Sequence, residues 1–317
     1  MRLLVTIPCL NEEKTVDKVI KNVPKQIHGV SEVDTLIIDD GSTDNTKKIA
    51  IENGAHVISH KKNWGVGEAF KSAYTYAEEN NYDLMVNIDG DDQFDASQIT
   101  EIISPIINNN ADLVIGSRFL KNKRIPNQSN LKYYGNRLVA KLISALVGES
   151  FKDVSSGFRA YSKEAILNLN LHGSFTYTQE TFLEFAVKKL KIVEVPVSIK
   201  YFKGRKSRVF KSLFQYAFSA LRIILKGFRD YYPMKFFGYL ALALSIPGMA
   251  FSILFFYKFL TTGQFSGYLF SGFLGGFFIF LSLIIFLVGV VADMLDRIRG
   301  NQERILYNAK KNKNKSN

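Results

Sequence analysis

The chain has 317 residues, 47% of them hydrophobic, and a formal net charge of +12. Its mean hydropathy is near zero, so the apolar residues must be concentrated in part of the chain, and the length suits one α/β domain with an added element. A single cysteine, Cys9, excludes an intramolecular disulfide, and no Cys/His constellation of the kind that holds zinc is present.

From the N-terminus, Leu3–Ile7 is an apolar run too short for a signal peptide, ended by Pro8 and Asn11, and it reads as a first strand. Short β-branched runs predict further strands at Thr35–Asp39, His56–Ser59, Leu84–Ile88 and Asp112–Ile115. Helical stretches fall between them near Glu13–Val23, Thr43–Asn53, Val66–Asn80 and Ser97–Ile107. This alternation predicts parallel strands joined by crossover helices, and runs such as Leu36-Ile37-Ile38 suit strands buried on both faces. In such sheets ligands bind beyond the carboxyl ends of the strands. Residues 121–205 complete the same unit, with a loop at Lys121–Asn130 and a helix at about Lys132–Val147. A Ser-Gly turn at Ser155-Ser156-Gly157, a helix Thr178–Leu190 and a strand Ile192–Pro196 follow.

Between Phe210 and Phe228 apolar residues recur at helical spacing, with Lys211, Arg222 and Lys226 interleaved. An amphipathic helix in a membrane interface has this pattern; an ordinary core-facing helix is the other reading, and both stay open. Phe236–Tyr257 and Tyr268–Ala292 are then free of charge over 22 and 25 residues, and about 20 helical residues cross a bilayer. The chain therefore divides into a globular unit at 1–205, interfacial helices at 206–233, two transmembrane helices within 234–292 and a basic tail at 293–317. Residues 1–200 carry 24 Lys+Arg against 25 Asp+Glu, and the remainder carries 17 against 4. Because this basic excess flanks the apolar runs, it points to an anionic membrane surface and not to nucleic acid. Lys258 is the one charge between the spans, whereas Lys226, Arg229 and Lys235 precede them and Arg297, Arg299, Arg304 and Lys310–Lys315 follow. The positive-inside bias predicts a multi-pass protein of the cell membrane with the globular unit and both outer ends in the cytoplasm. The lone Cys9 agrees with a reducing compartment. The Lys/Asn-rich segment Asn308–Asn317 is expected to lack fixed structure.

Four polar elements fall at strand ends: Pro8-Cys9-Leu10-Asn11-Glu12-Glu13, Asp39-Asp40-Gly41-Ser42-Thr43-Asp44, Asn63-Trp64-Gly65-Val66-Gly67-Glu68-Ala69 and Asp89-Gly90-Asp91-Asp92-Gln93. A turn with a helix N-cap explains Ser42 or Thr43. It does not explain two adjacent carboxylates closing an apolar strand, nor a second acidic turn after another strand on the same rim. Carboxylates of an Asp-Gly-Asp turn suit Mg²⁺ or Mn²⁺ when a ligand diphosphate supplies the remaining oxygens. Gly65 and Gly67 allow close backbone approach to a ligand. Neither a dinucleotide fingerprint after the first strand nor a P-loop occurs.

In this order, IPCLNEE, IDDGSTDNT, NWGVGEA, NIDGDDQ, IGSR and SSGFRAYS resemble glycosyltransferase family 2, with its GT-A fold, over about residues 1–205. The whole chain resembles the branch of dolichyl-phosphate mannose synthases and polyprenyl-phosphate glycosyltransferases. The resemblance implies that Pro8 and Glu12 border the nucleoside pocket, that Asp39 meets the base, and that Asp89 lies near the ribose and diphosphate, with Gly65 and Gly67 also on the donor side. Asp91, with Gln93 and Asp89, would hold the metal. Arg118 would contact the acceptor phosphate together with Lys132, Asn136 and Arg137; here Lys132 and Asn136 stand where the family usually has Arg and Ser. The family often has an aromatic residue at the position of Leu10, which leaves the bound base open.

The reaction this implies is an in-line displacement with inversion, from a UDP- or GDP-linked sugar to a polyprenyl phosphate. The product would be a lipid-linked monosaccharide for glycan or glycoprotein assembly. A processive polysaccharide synthase is an alternative, but its Q-x-x-R-W element is absent, since Trp64 is the sole tryptophan. Gln179-Glu180 reads equally as such an enzyme's acidic base position or as the start of a helix. A catalytically inactive anchor or assembly partner is disfavoured by the intact Asp39, Asp89, Asp91 and Arg118. The sugar, the lipid's length and whether the protein is a homo-oligomer stay open.

Overall fold

The computed structural model describes residues 1–121, 125, 128, 130–170, 177–200, 221–222 and 225–316. The expected loop at 121–130 and the expected interfacial helices at 206–233 lie largely outside them. Two compact units are present: residues 1–223 with 306–317, and residues 224–305.

The first unit is built on a seven-stranded sheet of order β3-β2-β1-β4-β6-β5-β7. Its strands are β1 (Arg2–Cys9), β2 (Glu32–Asp39), β3 (His56–Ser59), β4 (Leu84–Asn87), β5 (Leu113–Ser117), β6 (Arg159–Ser162) and β7 (Ile192–Pro196). Strand β1 runs parallel to both β2 and β4, so the ends of these three strands share one rim. Alternation along β1 sends Leu3, Val5, Ile7 and Cys9 into a core with Val16, Val19 and Ile20 of α1 (Val16–Asn22) and Ile99, Ile102, Ile103 and Ile106 of α4 (Ile99–Ile107). On α3 (Val66–Glu79), Ala69, Phe70, Ala73 and Ala77 are fully buried at helical spacing. Among the described residues this unit also has α2 (Thr46–Glu52), α5 (Asn130–Val147), α6 (Lys163–Asn168) and α7 (Tyr177–Val187).

Two elements were not expected. Strand β6 is only four residues long and runs antiparallel between β4 and β5. Helix α6 follows it directly, its start capped by Ser162 Oγ, which accepts from Ala165 N–H at 3.1 Å.

The second unit holds α8 (Pro233–Thr262) and the apolar part of α9 (Leu269–Ser316), both long and apolar enough to cross a membrane. Gly263 closes α8 in the left-handed conformation, with φ 66°. The two helices approach closely where side chains are small. A Cβ on Gly248 would lie 3.0 Å from Ile279 N, and one on Gly275 would lie 2.8 Å from Ser252 N. Ser282 Oγ donates to Ala241 O at 2.8 Å across the hairpin.

The expectation of an unstructured tail is corrected, because α9 continues as helix to Ser316. Ion pairs at helical spacing support it: Arg297 with Asp293 at 3.0 Å and Arg299 with Asp296 at 2.6 Å. Beyond residue 305 the helix also has partners in the first unit. Lys310 Nζ lies 2.8 Å from Glu78 Oε2, and Tyr307 Oη donates to Glu164 Oε2 at 2.9 Å. Composition alone did not register those tertiary partners.

Candidate active site

The loops after β1 and β2 are stitched together. Asn11 N–H donates to Ser42 Oγ (2.9 Å), Thr43 N–H to Asn11 Oδ1 (2.9 Å) and Glu12 N–H to Thr46 Oγ1 (2.8 Å). Asp44 accepts from Thr46 N–H at 3.0 Å and Glu13 N–H at 3.2 Å. Burial opposes ionisation of Asp44, but hydrogen bonds from the Thr46 hydroxyl and these amides hold its carboxyl below the usual range. Neither Ser42 nor Thr43 caps α2: Asn45 stands at the N-cap without a side-chain bond, and the Asp44 carboxylate, one residue earlier, accepts from the first helical amide, Thr46 N–H.

The two adjacent aspartates that close β2 do different work. Asp40 is buried and accepts from Trp64 N–H (2.9 Å) and Gly65 N–H (2.8 Å), while His60 Nδ1 lies 2.7 Å from its Oδ1. It anchors the glycine loop. Gly65 has φ +96°, where a side chain would be strained. Gly67 follows, buried in the first turn of α3. Asp39 accepts from Ser42 N–H (2.9 Å) within its own turn.

The end of β4 packs against the end of β1. A Cβ on Gly90 would lie 2.5 Å from Cys9 Sγ, and Thr15 Oγ1 donates to Gly90 O at 2.9 Å and to Glu12 Oε2 at 3.3 Å. Burial pushes the Cys9 thiol far above its ordinary pKa, and the charges of Glu12, Asp39, Asp89 and Asp91 add to the shift. The turns that bear the expected donor-side carboxylates Glu12, Asp39, Asp89 and Asp91 therefore meet on one rim. Asp91 Oδ1 accepts from Gln93 N–H (3.1 Å), and the turn is pinned from outside by Lys200 N–H donating to Gln93 O (2.9 Å). Among the described residues no group of three or more His, Cys, Asp or Glu side chains is placed to hold a metal ion. Two rim carboxylates on one short turn are a partial set of hard oxygen donors, and they fit Mg²⁺ or Mn²⁺ completed by a diphosphate.

Arg118 follows β5 on the same rim. Its Nε donates to Asp153 Oδ2 at 2.7 Å, and its Nη2 to Asp153 Oδ1 and Ser155 Oγ, both at 2.8 Å. Burial alone would raise the Asp153 pKa, but the guanidinium beside it holds it below the usual carboxylate range. The bidentate fork is thus engaged within the protein. On α5, neighbouring residues point differently: Asn136 is buried, whereas Arg137 is exposed and donates from Nη1 to Tyr133 Oη at 2.7 Å. The side chain of Lys132 lies outside the described residues. Glu180 lies in the first turn of α7.

Sequence reasoning missed Asp153 and Arg159. Arg159 is fully buried, and its guanidinium donates to Ser156 O (2.8 Å), Val154 O (2.8 Å), Thr178 O (2.7 Å) and Thr181 Oγ1 (2.9 Å). It ties the 153–157 loop to α7. Its signal was a lone arginine in an apolar stretch directly after the Ser-Gly turn. In that loop, a Cβ on Gly157 would meet the Asp89 carboxylate oxygens at 3.0 and 3.1 Å. The turn therefore needs glycine for Asp89 to sit where it does.

The Glycosyl transferase family 2 profile matches residues 4–169. The chain is 34% identical over 219 residues to a UDP-N-acetylglucosamine–dolichyl-phosphate N-acetylglucosaminyltransferase of Methanococcus voltae, covering 63% of this chain and 86% of that one. It is 27% identical over 212 residues to an undecaprenyl-phosphate mannosyltransferase of Micrococcus luteus, covering 62% and 83%. A solved glucosyl-3-phosphoglycerate synthase of Mycobacterium tuberculosis, in complex with Mn²⁺, UDP-glucose and phosphoglyceric acid, superposes with a TM-score of 0.55. That similarity is at 22% identity over 71% of this chain and 79% of the other. The chain belongs to glycosyl transferase family 2. It is a glycosyltransferase with the GT-A α/β fold, and it carries two apolar C-terminal helices that could span a membrane.

Proposed function

We propose that the protein transfers one sugar, with inversion, from a UDP- or GDP-linked donor to a membrane polyprenyl phosphate of the dolichyl or undecaprenyl type. The observation that carries this reading is the joined rim: hydrogen bonds from Asn11 to Ser42 and from Thr15 to Gly90, with Gly90 against Cys9 and Gly157 against Asp89, bring together the turns that bear Glu12, Asp39, Asp89 and Asp91, and Arg118 follows β5 on the same rim. The names of the relatives, two of them lipid-phosphate glycosyltransferases, support the acceptor class. The apolar helices give a reason for it, since the lipid phosphate lies at a bilayer surface.

Pro8, Glu12 and Asp39 would line the nucleoside end of the donor site, and Asp89 the ribose and diphosphate, with Gly65 and Gly67 letting the backbone come close. Asp91, with Asp89 and Gln93, would hold Mg²⁺ or Mn²⁺. Such an ion supplies charge neutralisation to the diphosphate leaving group. It also answers an electrostatic difficulty, because four carboxylates would otherwise repel an anionic donor.

The acceptor phosphate is already anionic near neutral pH and needs orientation more than deprotonation. Arg118, held in place by Asp153, would direct its guanidinium charge at that phosphate, with Lys132, Asn136 and Arg137 on α5 as the other candidates. An acceptor oxygen would attack the anomeric carbon while the bond from that carbon to the diphosphate oxygen breaks, and the electron pair leaves with the nucleoside diphosphate. The excess of positive charge at both ends of the hairpin supports a topology with the catalytic unit and residues 293–317 in the cytoplasm and 258–267 on the other side.

The test is a panel of radiolabelled nucleotide sugars offered to membranes containing the protein and a polyprenyl phosphate. One sugar is expected to move into the organic phase, dependent on added Mg²⁺ or Mn²⁺. Release of free sugar only, whichever acceptor is supplied, would refute the reading.

A further inference from the structure

Trp64 is the only tryptophan in the chain, and it is 49% exposed. Its indole is stacked on the ring of His60, with centroids 4.6 Å apart and planes at 28°. His60 is itself buried and fixed at both nitrogens, by Asp40 at 2.7 Å and by Ser72 Oγ at 2.9 Å. The main chain beneath the indole is fixed as well, since Asp40 accepts from the amides of Trp64 and Gly65. A large apolar ring is therefore held rigidly while about half of the residue faces water. Burial of the indole does not account for that arrangement, because this much of its surface is left uncovered.

The position matters more than the exposure. A Cβ on Gly41 would lie 2.6 Å from the Lys62 carbonyl carbon and 2.8 Å from Asn63 N, so the loop leading into Trp64 lies directly on the turn that follows Asp39. The sheet order β3-β2-β1-β4 places Trp64, after β3, at the opposite end of the donor rim from Asp89 and Asp91, after β4. Three interstrand steps of about 4.8 Å span roughly 14 Å, comparable with an extended nucleoside diphosphate. If the diphosphate lies at Asp89 and Asp91, the far end of the nucleotide reaches β2 and β3. That end is a planar heteroaromatic base, and a planar ring waits there.

We infer that Trp64 is the stacking platform for the donor's nucleobase, presented by the Asp40–His60 pair. The inference rests on the proposed nucleotide-sugar reading and adds a residue that determines nucleotide affinity. It also assigns a purpose to the second aspartate of the Asp39-Asp40 pair. Asp40 and His60 are positioning residues, acting on the donor only through the loop and the indole.

The sole tryptophan provides its own reporter. UDP and GDP are titrated, with Mg²⁺, into the purified full-length protein while tryptophan emission and binding heat are followed in parallel. The emission is expected to change saturably, with the same Kd that calorimetry returns. Base–aromatic stacking predicts that Trp64→Ala raises that Kd roughly tenfold, whereas Trp64→Phe holds it within about threefold. The unfolding midpoint of the nucleotide-free protein should stay nearly constant across these variants, because the backbone of the loop is held by Asp40. If a nucleotide binds by calorimetry but the emission does not respond and Trp64→Ala binds equally well, the inference is wrong and the proposed function stands. If neither nucleotide binds, both fall together.

Discussion

Replacing Arg118 by alanine would leave Asp153, whose side chain is fully buried, without its cationic partner; the pair is 2.7 Å apart and the Arg118 side chain is only 11% exposed. Breaking one side of a buried ion pair costs about 3–5 kcal/mol. Asp153 would still accept from the amides of Arg118 (3.1 Å) and Ser155 (3.2 Å), so the loss belongs near the lower end, about 3 kcal/mol. Asp153→Ala should cost less, since the freed guanidinium keeps Ser155 Oγ at 2.8 Å and lies closer to solvent. The double variant should then be more stable than additivity predicts, with a coupling of roughly 1–3 kcal/mol. Urea unfolding of the full-length protein in detergent, followed by Trp64 emission, measures all four corners of this cycle. The pair also fixes a pH dependence. The folded pKa of Asp153 lies below its unfolded value, so its contribution is complete above the unfolded value of about 3.9 and is lost as the pH falls through the lower, folded one. A loss of less than about 1 kcal/mol in Arg118→Ala, with additive single variants, would show that Asp153 does not hold the guanidinium. Kinetics addresses the second role. Loss of a charge-assisted contact to the acceptor should lower the acceptor's kcat/KM by about 1.5–3 kcal/mol in Arg118→Ala, with donor binding unchanged. A tenfold weaker donor would reassign Arg118 to the donor side.

Other expectations are simpler to state. Asp91→Ala is expected to abolish transfer in a protein that remains folded and membrane-bound; a residual rate above about a tenth of normal would remove Asp91 from the metal site. Gly157→Ala puts a Cβ about 3 Å from both Asp89 oxygens, so donor Kd should rise together with an overpacking loss of about 1–3 kcal/mol; unchanged donor binding would mean that Asp89 moves freely. Lys310→Glu sets two carboxylates together where an ion pair of 2.8 Å now stands, and hydrogen exchange should speed up across 306–313; unchanged protection would show that the tail is held by something else. Single cysteines placed in 258–267 should react only with reagent on the outer side of sealed cells, and labelling from the cytoplasmic side alone would invert the hairpin.

Much of the sheet was legible because its strands are continuous apolar runs. Leu36-Ile37-Ile38 and Leu113-Val114-Ile115 have no alternative use in a chain of this kind, and both are fully buried. Strand β6 was not legible, since Arg159-Ala160-Tyr161-Ser162 opens with a charge whose partners, the carbonyls of Val154, Ser156 and Thr178 and the Thr181 hydroxyl, are brought to it by the fold. The rim itself could be read from strand ends, but the division of labour on it could not. Asp39 and Asp40 are equivalent as letters, and it is the glycine loop, arriving from β3, that takes Asp40 for its amides. Asp153 was hidden for a related reason. Lys152-Asp153-Val154-Ser155 looks like an ordinary polar turn, and the partner that gives it meaning is 35 residues earlier in the chain.

The segment 153–157 connects the two halves of the proposed reaction. Its first residue, Asp153, fixes Arg118 on the expected acceptor side. Its last, Gly157, abuts Asp89 on the donor side, and the carbonyl of Gly157 accepts from Asn87 Nδ2 at 3.0 Å at the end of β4. Between them, the carbonyls of Val154 and Ser156 are held by Arg159, which reaches on to Thr178 at the start of α7. A guanidinium with rigid fork geometry suits this task, because it fixes several carbonyls in one plane where a lysine would fix them singly. The buried charge is tolerated because its N–H groups donate to carbonyl and hydroxyl oxygens. A five-residue turn braced in this way sets the spacing between the carboxylates that would receive the leaving diphosphate and the arginine that would orient the attacking phosphate. In-line displacement depends on that spacing, since the attacking and leaving oxygens must face each other across one carbon. The same constraint explains why the loop carries a glycine at its donor end and an ion-paired aspartate at its acceptor end: the first gives Asp89 room, and the second removes the freedom of Arg118 to wander.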